Sequence, residues 1–495
     1  MRSLSGVSVT VVGAGFGGLA SACYLADSGA DVTLLERNEQ VGGRASTLER
    51  DGFEFDMGPS WYLMPDVFER FFDAFERTPE GYYDLEQLDP HYRIFWKDGD
   101  SVDVTGDLER TKETFESYEA GAGDALEAYL DEAEHTYEVG MERFVYEDRS
   151  SLSDFVSPDV AGSARGLSLL GTMDDHVADY FEHPKLRQVM QYSLVFLGGA
   201  PSNTPALYNL MSHVDFNLKV WYPEGGMSGV AERIGELARE LGVEIRLNEP
   251  VERIDPYARA YVTHTDSGSY RSDAVVSDAD YAHTEQELLA PEYRQYDADY
   301  WESRTWAPSA FLLYLGVEGD IPNLAHHSLV LPENWDPHFD SIFEDPAWPE
   351  DPAYYVCAAS ETDDTVAPEG CSNVFVLVPI AAGLDDDEDT RERYREQVLA
   401  DLAEHTGEDL RGRIRVEERF SVSEFADRYN SYQGTALGMA HTLDQTALFR
   451  PPHRSEQLRG LYFTGANTTP GIGVPMCLIS GELTADAVRE DYGNG

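Results

Sequence analysis

Residues 7–44 of the chain read VSVTVVGAGFGGLASACYLADSGADVTLLERNEQVGGR. The run opens with alternating β-branched residues, which predict a short buried strand. Gly13, Gly15 and Gly18 follow at GxGxxG spacing, which allows a tight turn, close approach of a pyrophosphate and tight packing of helix on strand. The helix predicted to start there points free N–H groups at an anion. A second strand ends in Glu36, whose carboxylate can accept ribose hydroxyls, so the segment predicts a dinucleotide-binding βαβ unit.

The same unit binds NAD or FAD, and the residues that follow it separate the two cofactors. Gly42, Gly43 and Arg44 come soon after Glu36, and residues 58–60 read Gly-Pro-Ser. Together with the βαβ unit, this pattern resembles the flavin-containing amine oxidase and carotenoid desaturase superfamily. The resemblance implies that the double glycine turns the chain under FAD and that Arg44 lies near the pyrophosphate.

A third glycine-rich segment comes late in the chain. Residues 461–477 read LYFTGANTTPGIGVPMC, which predicts a strand, a turn and the start of a helix. The N-terminus of such a helix can stabilise negative charge on the pyrimidine end of a flavin. The segment resembles the closing signature of bacterial-type phytoene desaturases and related carotenoid desaturases, and residues 324–346, 365–379 and 429–451 resemble the same family.

The resemblance implies that FAD binds non-covalently through backbone and side-chain groups of these motifs. Val251 is included because family members hold the adenine with the backbone after a strand such as residues 243–247. Cys477, near the closing glycines, is interpreted as a helix cysteine rather than a covalent attachment point. The predicted cofactor-binding residues are Gly13, Ala14, Gly15, Phe16, Gly17, Gly18, Glu36, Arg37, Gly43, Arg44, Gly58, Pro59, Ser60, Val251, Gly465, Ala466, Asn467, Gly473, Val474, Pro475 and Met476.

The predicted fold class is α/β, with a discontinuous Rossmann-like FAD-binding lobe of the glutathione-reductase and amine-oxidase type. That lobe is predicted to comprise residues 1–95, 218–285 and 416–495. Residues 96–217 and 286–415 then form an inserted α+β substrate-binding lobe, with a helical cap near residues 105–215. The apolar helical region is either a core or the wall of a channel for an apolar substrate, and the sequence leaves both readings open.

The chain is strongly acidic: it contains 92 acidic and 36 basic residues, which gives a formal net charge of −56. Only four of the basic residues are lysines, namely Lys97, Lys112, Lys185 and Lys219. Acidic residues spread along the whole chain favour adaptation to molar salt, where the Debye length falls to about 3 Å. An acidic surface made for a basic partner is the alternative. A nucleic-acid partner is not expected, because no basic stripe is present.

Cysteine usage and hydropathy favour a cytoplasmic protein. The four cysteines show no CxxC or zinc-type spacing. Two uncharged runs, residues 7–26 and 189–212, belong to the dinucleotide motif and to a segment broken by Gly and Pro, so no membrane span is predicted. Peripheral association with a membrane surface remains the expectation, because a polyene substrate would be dissolved in the bilayer.

No metal site is predicted from sequence spacing. The acidic run 385–389 lacks the glycine and terminal glutamate of a calcium loop, and it is interpreted as a solvated turn before a helix. The pair His326 and His327 has no further ligand nearby in the sequence.

The resemblance implies an FAD-dependent carotenoid desaturase that acts on a long apolar isoprenoid. Flavin N5 would take a hydride from one carbon while the adjacent carbon loses a proton, and the reduced flavin would pass its electrons to a quinone or to oxygen. Family members have a proposed Asp–Arg acid/base pair before the helical region. Asp154 matches the acid, but Ser157 occupies the arginine position, which leaves that role in doubt.

Several functions share this fold. A carotenoid 3,4-desaturase on a route to bacterioruberin-type C50 pigments is favoured, and a phytoene desaturase that forms lycopene is the alternative. A flavin amine oxidase, a non-enzymatic isoprenoid-binding escort protein and a redox-neutral carotenoid isomerase remain further alternatives. A flavin spectrum separates the escort protein from the oxidoreductases, and turnover of a polyene or an amine separates those from each other.

The net charge predicts a steep dependence of stability on salt. We expect the melting temperature and activity to rise with KCl concentration and to collapse in dilute buffer, because self-repulsion of the 56 excess negative charges is then unscreened. Thermal unfolding and flavin retention, measured from dilute buffer to molar KCl, check this. A melting curve that does not move with ionic strength would refute salt adaptation.

Overall fold

The computed structural model describes residues 2–146, 171–442 and 444–493. These residues form a mixed α/β fold with one parallel sheet, one large mixed sheet and three small antiparallel ladders. The strands are β1 Ser8–Val12, β2 Asp31–Leu35, β3 Thr47–Arg50, β4 Phe53–Asp56, β5 Leu85–Gln87, β6 Tyr92–Trp96, β7 Ser101–Val104, β8 Trp221–Pro223, β9 Glu244–Arg246, β10 Val251–Tyr257, β11 Ala260–Thr265, β12 Ser269–Ser272, β13 Ala274–Ser277, β14 Ser309–Glu318, β15 His327–Leu331, β16 Tyr354–Cys357, β17 Cys371–Ile380, β18 Ile414–Phe420 and β19 Leu461–Phe463.

Two helices frame the predicted cofactor motifs: the opening helix Phe16–Asp27 and the closing helix Val474–Tyr492. The other α-helices of five or more described residues are Pro65–Asp73, Leu108–Tyr118, Ala122–Gly140, Met173–Ala178, Pro184–Gln191, Gly226–Glu240, Ala298–Glu302, Asp336–Phe343, Glu388–Thr406 and Val422–Tyr429.

The parallel sheet has the strand order β19-β13-β1-β2-β9. Its central strand β1 reads SVTVV and is almost wholly buried, which is typical of a parallel strand covered by helices on both faces. All four neighbouring pairs run parallel, so the strands end at one edge. Gly13, Glu36, Asp278 and Thr464 directly follow the ends of β1, β2, β13 and β19. Ligands of open α/β sheets bind at this carboxyl edge, so the topology brings the three predicted cofactor segments together.

The opening and closing helices pack against each other at a glycine. A Cβ at Gly481 would lie 2.5 Å from the Cβ of Ala20 and 2.9 Å from the carbonyl oxygen of Gly17. Only glycine therefore allows this close approach of the two helices. The contact fixes the N-terminus of the closing helix relative to the glycine loop.

The seven-stranded sheet has the order β18-β14-β17-β16-β15-β6-β7. Strands β6 and β7 pair antiparallel and form a hairpin with Asp98-Gly99 in the connection between them. The predicted lobe boundaries at 95/96 and 415/416 fall inside or beside β6 and β18, both of which belong to this sheet. The division of the chain into two lobes stays a prediction.

The helical region packs on the outer face of this sheet. Its first two helices are Leu108–Tyr118 and Ala122–Gly140. Their apolar faces share one core with β6, β14 and β15, in which Tyr92, Trp96, Leu126, Tyr129 and Tyr314 are fully buried. Asp154 and Ser157 lie outside the described residues. Every helix within the described ranges is too short or too polar to cross a membrane.

Candidate functional site

The glycine loop after β1 is built so that backbone, not side chains, faces a ligand. Gly13 has φ +97° and donates its N–H to the carbonyl of Leu35 at 2.8 Å. A Cβ at Gly18 would overlap the carbonyl oxygen of Gly13, and one at Gly15 would lie 2.5 Å from Oδ2 of Asp278. Ala14, Phe16 and Gly17 complete the loop and the first turn of the opening helix, and all three are buried. The helix has no side-chain cap from its N-cap residue Gly15, and the amides of Gly15 and Gly18 face the carboxyl group of Asp278.

Glu36 is fixed at the end of β2. Its side chain is 5% exposed, with Oε2 accepting the N–H of Ala14 at 2.8 Å and Oε1 accepting the N–H of Asn38 at 2.8 Å. The carbonyl of Glu36 accepts the N–H of Glu249, two residues before Val251. The predicted ribose and adenine contacts therefore share one corner of the sheet edge.

The double glycine crosses beneath the loop. Gly42 has φ +105° and donates its N–H to the carbonyl of Ala14 at 2.8 Å. A Cβ on Gly43 would lie 3.4 Å from the Cα of Gly15. Arg44 is held by a hydrogen bond from Nη2 to Oγ of Ser431 at 2.8 Å, and its buried Nε has no partner within the described chain. A buried, unpartnered guanidinium nitrogen beside the glycine loop suits a phosphate oxygen.

Arg37 and residues 58–60 are also predicted to bind the cofactor, and their surroundings differ from each other. Arg37 is exposed and its guanidinium donates to the side-chain oxygen of Asn430. Residues 58–60 run close to Arg44, because a Cβ at Gly58 would lie 2.9 Å from the Arg44 carbonyl oxygen. Pro59 is half-buried and Ser60 is buried.

The closing turn meets the glycine loop. Gly465 has φ +92°, donates its N–H to Oγ of Ser480 at 2.9 Å, and could carry no Cβ without a contact of 2.6 Å to Oδ1 of Asp278. Asn467 fixes the turn from both ends of its amide, since Oδ1 accepts the Met439 N–H at 2.9 Å and Nδ2 donates to Oδ2 of Asp280 at 3.2 Å.

A buried arginine holds the turn from the other side. Nη2 of Arg450 donates to the carbonyls of Ala466 and Met439 at 2.8 and 2.7 Å. Burial without an acidic partner lowers the pKa of Arg450 to about 10, so it remains a cation at neutral pH. The buried positive charge lies beside the predicted flavin segment.

The closing helix begins directly after this turn. Gly473 precedes it with φ +119° and provides no side-chain cap, and Val474, Pro475 and Met476 form a half-buried first turn. Cys477 lies in the same turn, and desolvation raises the pKa of its thiol to about 12. The thiol is therefore protonated at neutral pH and a poor nucleophile.

Asp278 is a site residue that the sequence analysis did not single out. Its carboxyl group lies between the would-be Cβ positions of Gly15, Gly17 and Gly465. Burial raises its pKa to about 8, although the amides of Gly18 and Gly15 favour the charged form. At neutral pH the group is mostly protonated, so it can donate a hydrogen bond beside a pyrophosphate instead of repelling it. The feature of the sequence that could have identified Asp278 is its position directly after strand β13, at the carboxyl edge of the sheet.

These observations fit FAD. The carboxyl edge of one parallel sheet brings together two helix N-termini that lack side-chain caps. The unpartnered Nε of Arg44 and the buried carboxylate of Glu36 lie at the same edge. They supply donors for a pyrophosphate and an acceptor for a ribose.

A second polar group, also missed from sequence, lies next to residues 58–60. Asp215 is 4% exposed, and its Oδ2 accepts the hydroxyls of Tyr92 at 2.7 Å and Tyr192 at 3.0 Å. Its Oδ1 has no partner among residues that the structure describes. Burial raises the pKa of Asp215 to about 7, against the lowering effect of the two tyrosines. The ring of Trp61 lies 5.5 Å from that of Tyr92, which connects this group to the loop.

The fold and the site together define a flavin-binding oxidoreductase of the dinucleotide-binding class. The sequence matches the family described as flavin containing amine oxidoreductase over residues 16–489. It is 63% identical to a carotenoid 3,4-desaturase of Haloarcula japonica, over 99% of this chain and 100% of that protein. It is 34% identical to a zeta-carotene-forming phytoene desaturase of Myxococcus xanthus, over 98% of this chain and 94% of that protein.

Among solved structures, cyclohexylamine oxidase from Brevibacterium oxydans superimposes with a TM-score of 0.60 at 16% identity, covering 98% of this chain and 99% of that one. Similarity at that level of identity concerns the fold alone. The chain belongs to the flavin-containing amine oxidoreductase family, in the branch that contains these carotenoid desaturases. It is an FAD-dependent oxidoreductase, and the predicted α/β fold class is confirmed.

Replacing Glu36 tests the predicted ribose contact. We expect Glu36→Ala to weaken FAD binding by about 1–3 kcal/mol, because a charged hydrogen bond is lost and the Ala14 N–H is left without its acceptor. Titration of apoprotein with FAD, followed by flavin fluorescence in molar KCl, measures the change. Glu39→Ala is the matched control, since Glu39 lies three residues away in an exposed pair with Arg428. Equal affinities for both variants would remove Glu36 from the site.

Proposed function

We propose that the protein is a carotenoid desaturase that uses non-covalently bound FAD to introduce C=C bonds into a long isoprenoid polyene. The specific reaction we favour is 3,4-desaturation on a route to bacterioruberin-type C50 carotenoids. The observation that carries the proposal is the 63% identity, over essentially both full chains, to a protein named carotenoid 3,4-desaturase. The phytoene desaturase relative reaches only 34%.

Apolar residues beside the closing helix suit such a substrate. Met64, Val67, Val214, Ile479 and Leu483 form one buried cluster. Half-buried apolar side chains pack against it, among them Leu63, Leu210, Leu218 and Met476. A polyene offers no polar handle, so a site for it must be recognised by apolar contact and shape. This cluster includes Met476 of the predicted flavin site and side chains of the helical region, and we propose that it borders the substrate.

The reaction divides between cofactor and protein. When bound, FAD supplies a two-electron acceptor for the hydride that leaves one carbon of the substrate. The neighbouring carbon must lose a proton as the double bond forms. We assign Asp215 as a candidate acceptor of that proton, because its Oδ1 is buried without a partner within the described ranges and its partner Tyr92 packs near Trp61, which directly follows residues 58–60. Tyr92 and Tyr192 would hold the carboxylate in place.

We also propose how FAD is bound, where the protein works in the cell and where its electrons go. The 21 predicted cofactor residues bind FAD, and the protonated thiol of Cys477 supports non-covalent binding. Asp154 remains a second candidate for acid/base work. The protein is cytoplasmic and salt-adapted, works at a membrane surface, is divided into the two predicted lobes, and passes electrons to a quinone or to oxygen.

Pigment analysis in engineered cells tests the substrate. We expect the protein to lengthen the chromophore of lycopene or of its prenylated, hydroxylated derivatives, with a loss of about 2 Da per new bond, since each desaturation removes two hydrogens. Absorption spectra and mass spectra of pigments extracted from cells that accumulate each precursor report the product. A gain only in cells that accumulate phytoene would favour the phytoene desaturase, and no new chromophore with FAD bound would refute desaturation.

The role of Asp215 is tested by pH dependence. A base must be deprotonated, so we expect kcat/KM to rise as pH increases through about 7, the pKa of Asp215. We expect Asp215→Asn to lower kcat/KM about 10²–10⁴-fold and to remove this limb, with Asp215→Glu partly restoring it. Initial rates at fixed KCl across pH 5–9 measure the profile. Asp66→Asn is the control, because Asp66 also accepts a tyrosine hydroxyl, that of Tyr137 at 2.8 Å. An unchanged limb in Asp215→Asn would exclude the assignment.

A further inference from the structure

His326, His327 and Cys357 come together where two strands of the large sheet begin and end. His327 on β15 lies opposite Cys357 on β16 in an antiparallel pair, and the carbonyl of His326 accepts the N–H of Ala358 at 2.8 Å. One ring nitrogen of each histidine and the cysteine sulfur all lie within 4.8 Å of one another. The three residues are 5%, 0% and 6% exposed. No third metal ligand lies near the two histidines in the sequence. The fold brings Cys357 to them from strand β16, 30 residues after His327.

Both histidines are oriented as metal ligands are. Nδ1 of His326 shares a hydrogen bond with Oγ1 of Thr362 at 2.8 Å, and Nδ1 of His327 with Oη of Tyr355 at 2.7 Å. The Nε2 atoms of both rings are buried and have no partner in the described part of the chain. A metal-bound histidine characteristically has its other ring nitrogen fixed in this way. An unpaired buried nitrogen is unfavourable, so each ring has one nitrogen open to a further ligand.

A small cavity borders the cluster. It offers about 20 Å³ to the centre of a water molecule, enough for one water, and is lined by His326, Cys357, Asp56, Ser60 and Tyr222 among others. A fourth, non-protein ligand can therefore reach His326 and Cys357. Two imidazoles and one thiolate with an open fourth position match the tetrahedral preference of Zn²⁺ and its mixed N/S ligands.

We propose that His326, His327 and Cys357 bind one Zn²⁺ ion, with a water molecule as the fourth ligand. The site connects the large sheet to the loop of residues 58–61. Ser60 lies against the Cys357 sulfur, and Trp61 stacks on His327 with ring centroids 4.1 Å apart. Its role is structural: it holds residues 58–60 against β15 and β16. This inference does not depend on the proposed substrate.

Metal analysis of the FAD-loaded protein tests the site. The protein is exposed to excess Zn²⁺, or separately to Co²⁺, and then desalted in metal-free molar KCl to remove cations from the acidic surface. We expect about one ion per chain by elemental mass spectrometry, as for a single buried site. The Co²⁺ form should also show d–d bands of four-coordinate cobalt to the red of the flavin bands and a thiolate-to-cobalt charge-transfer band.

Variants locate the ion. Cys357→Ser and His326→Gln should lower the metal content at least about tenfold at matched FAD content, as loss of a ligand does. Cys371→Ser should keep it, because Cys371 lies on the neighbouring strand β17 and outside the cluster. FAD-loaded wild type holding less than about a tenth of an ion per chain after Zn²⁺ and Co²⁺ exposure would overturn the proposal. So would full metal content in Cys357→Ser and His326→Gln. If those variants lose FAD and fold poorly, the wild-type cobalt spectrum decides, and absence of the thiolate band overturns the site.

Discussion

The carboxyl group of Asp278 lies where the opening glycine loop and the closing turn meet, and much of the site depends on its burial there. It fills the space that side chains on Gly15, Gly17 and Gly465 would otherwise occupy. With its pKa raised to about 8, it is mostly neutral at physiological pH and coexists with the nearby carboxylate of Glu36. A charged group in the same place would oppose a pyrophosphate at the helix N-terminus. One buried acid thus links strands β1, β13 and β19 to a shared anion site.

A second set of buried polar groups lies around Trp61, which directly follows residues 58–60. The rings of Tyr92 and Tyr192, which bind Asp215, lie 5.5 and 6.1 Å from the indole ring, and His327 is stacked on it. A buried polar group is costly unless it is paired, so such a network restricts the region to one arrangement. Here the two groups connect the helical region and the large sheet to this loop.

Basic residues are scarce in this chain, and several of them form specific ion pairs with carboxylates. Lys97, Lys112 and Lys185 each lie within ion-pair distance of two carboxylates. Arg395 forms a two-bonded pair with Glu417, at 2.7 Å for both nitrogens. The planar guanidinium suits such bidentate pairing, which remains specific where salt screens longer-range attraction. Few cations are left to oppose the surplus of surface acids, so the charge of −56 is a property of the whole surface.

The sequence alone determined the class of fold and predicted a set of cofactor-binding residues. Glycine spacing, a following helix and a carboxylate after the second strand have local physical causes, so residues 13–18, Glu36 and 465–476 were identified before any contact was known. The sequence did not show which sheet strands β6 and β18 join, because a strand's own residues do not specify its partner strands. Both join the large sheet.

Only the tertiary structure brought together Asp278 with Gly465, Asp215 with Tyr92 and Tyr192, and His326 and His327 with Cys357. Each of these groups joins residues from strands or helices far apart in the chain. Their distances are set by sheet order and register, which arise from the packing of the whole core. Burial, which shifts their pKa values and leaves Nε2 and Oδ1 atoms unpaired, is likewise absent from the sequence and appears when the surrounding layers close over them.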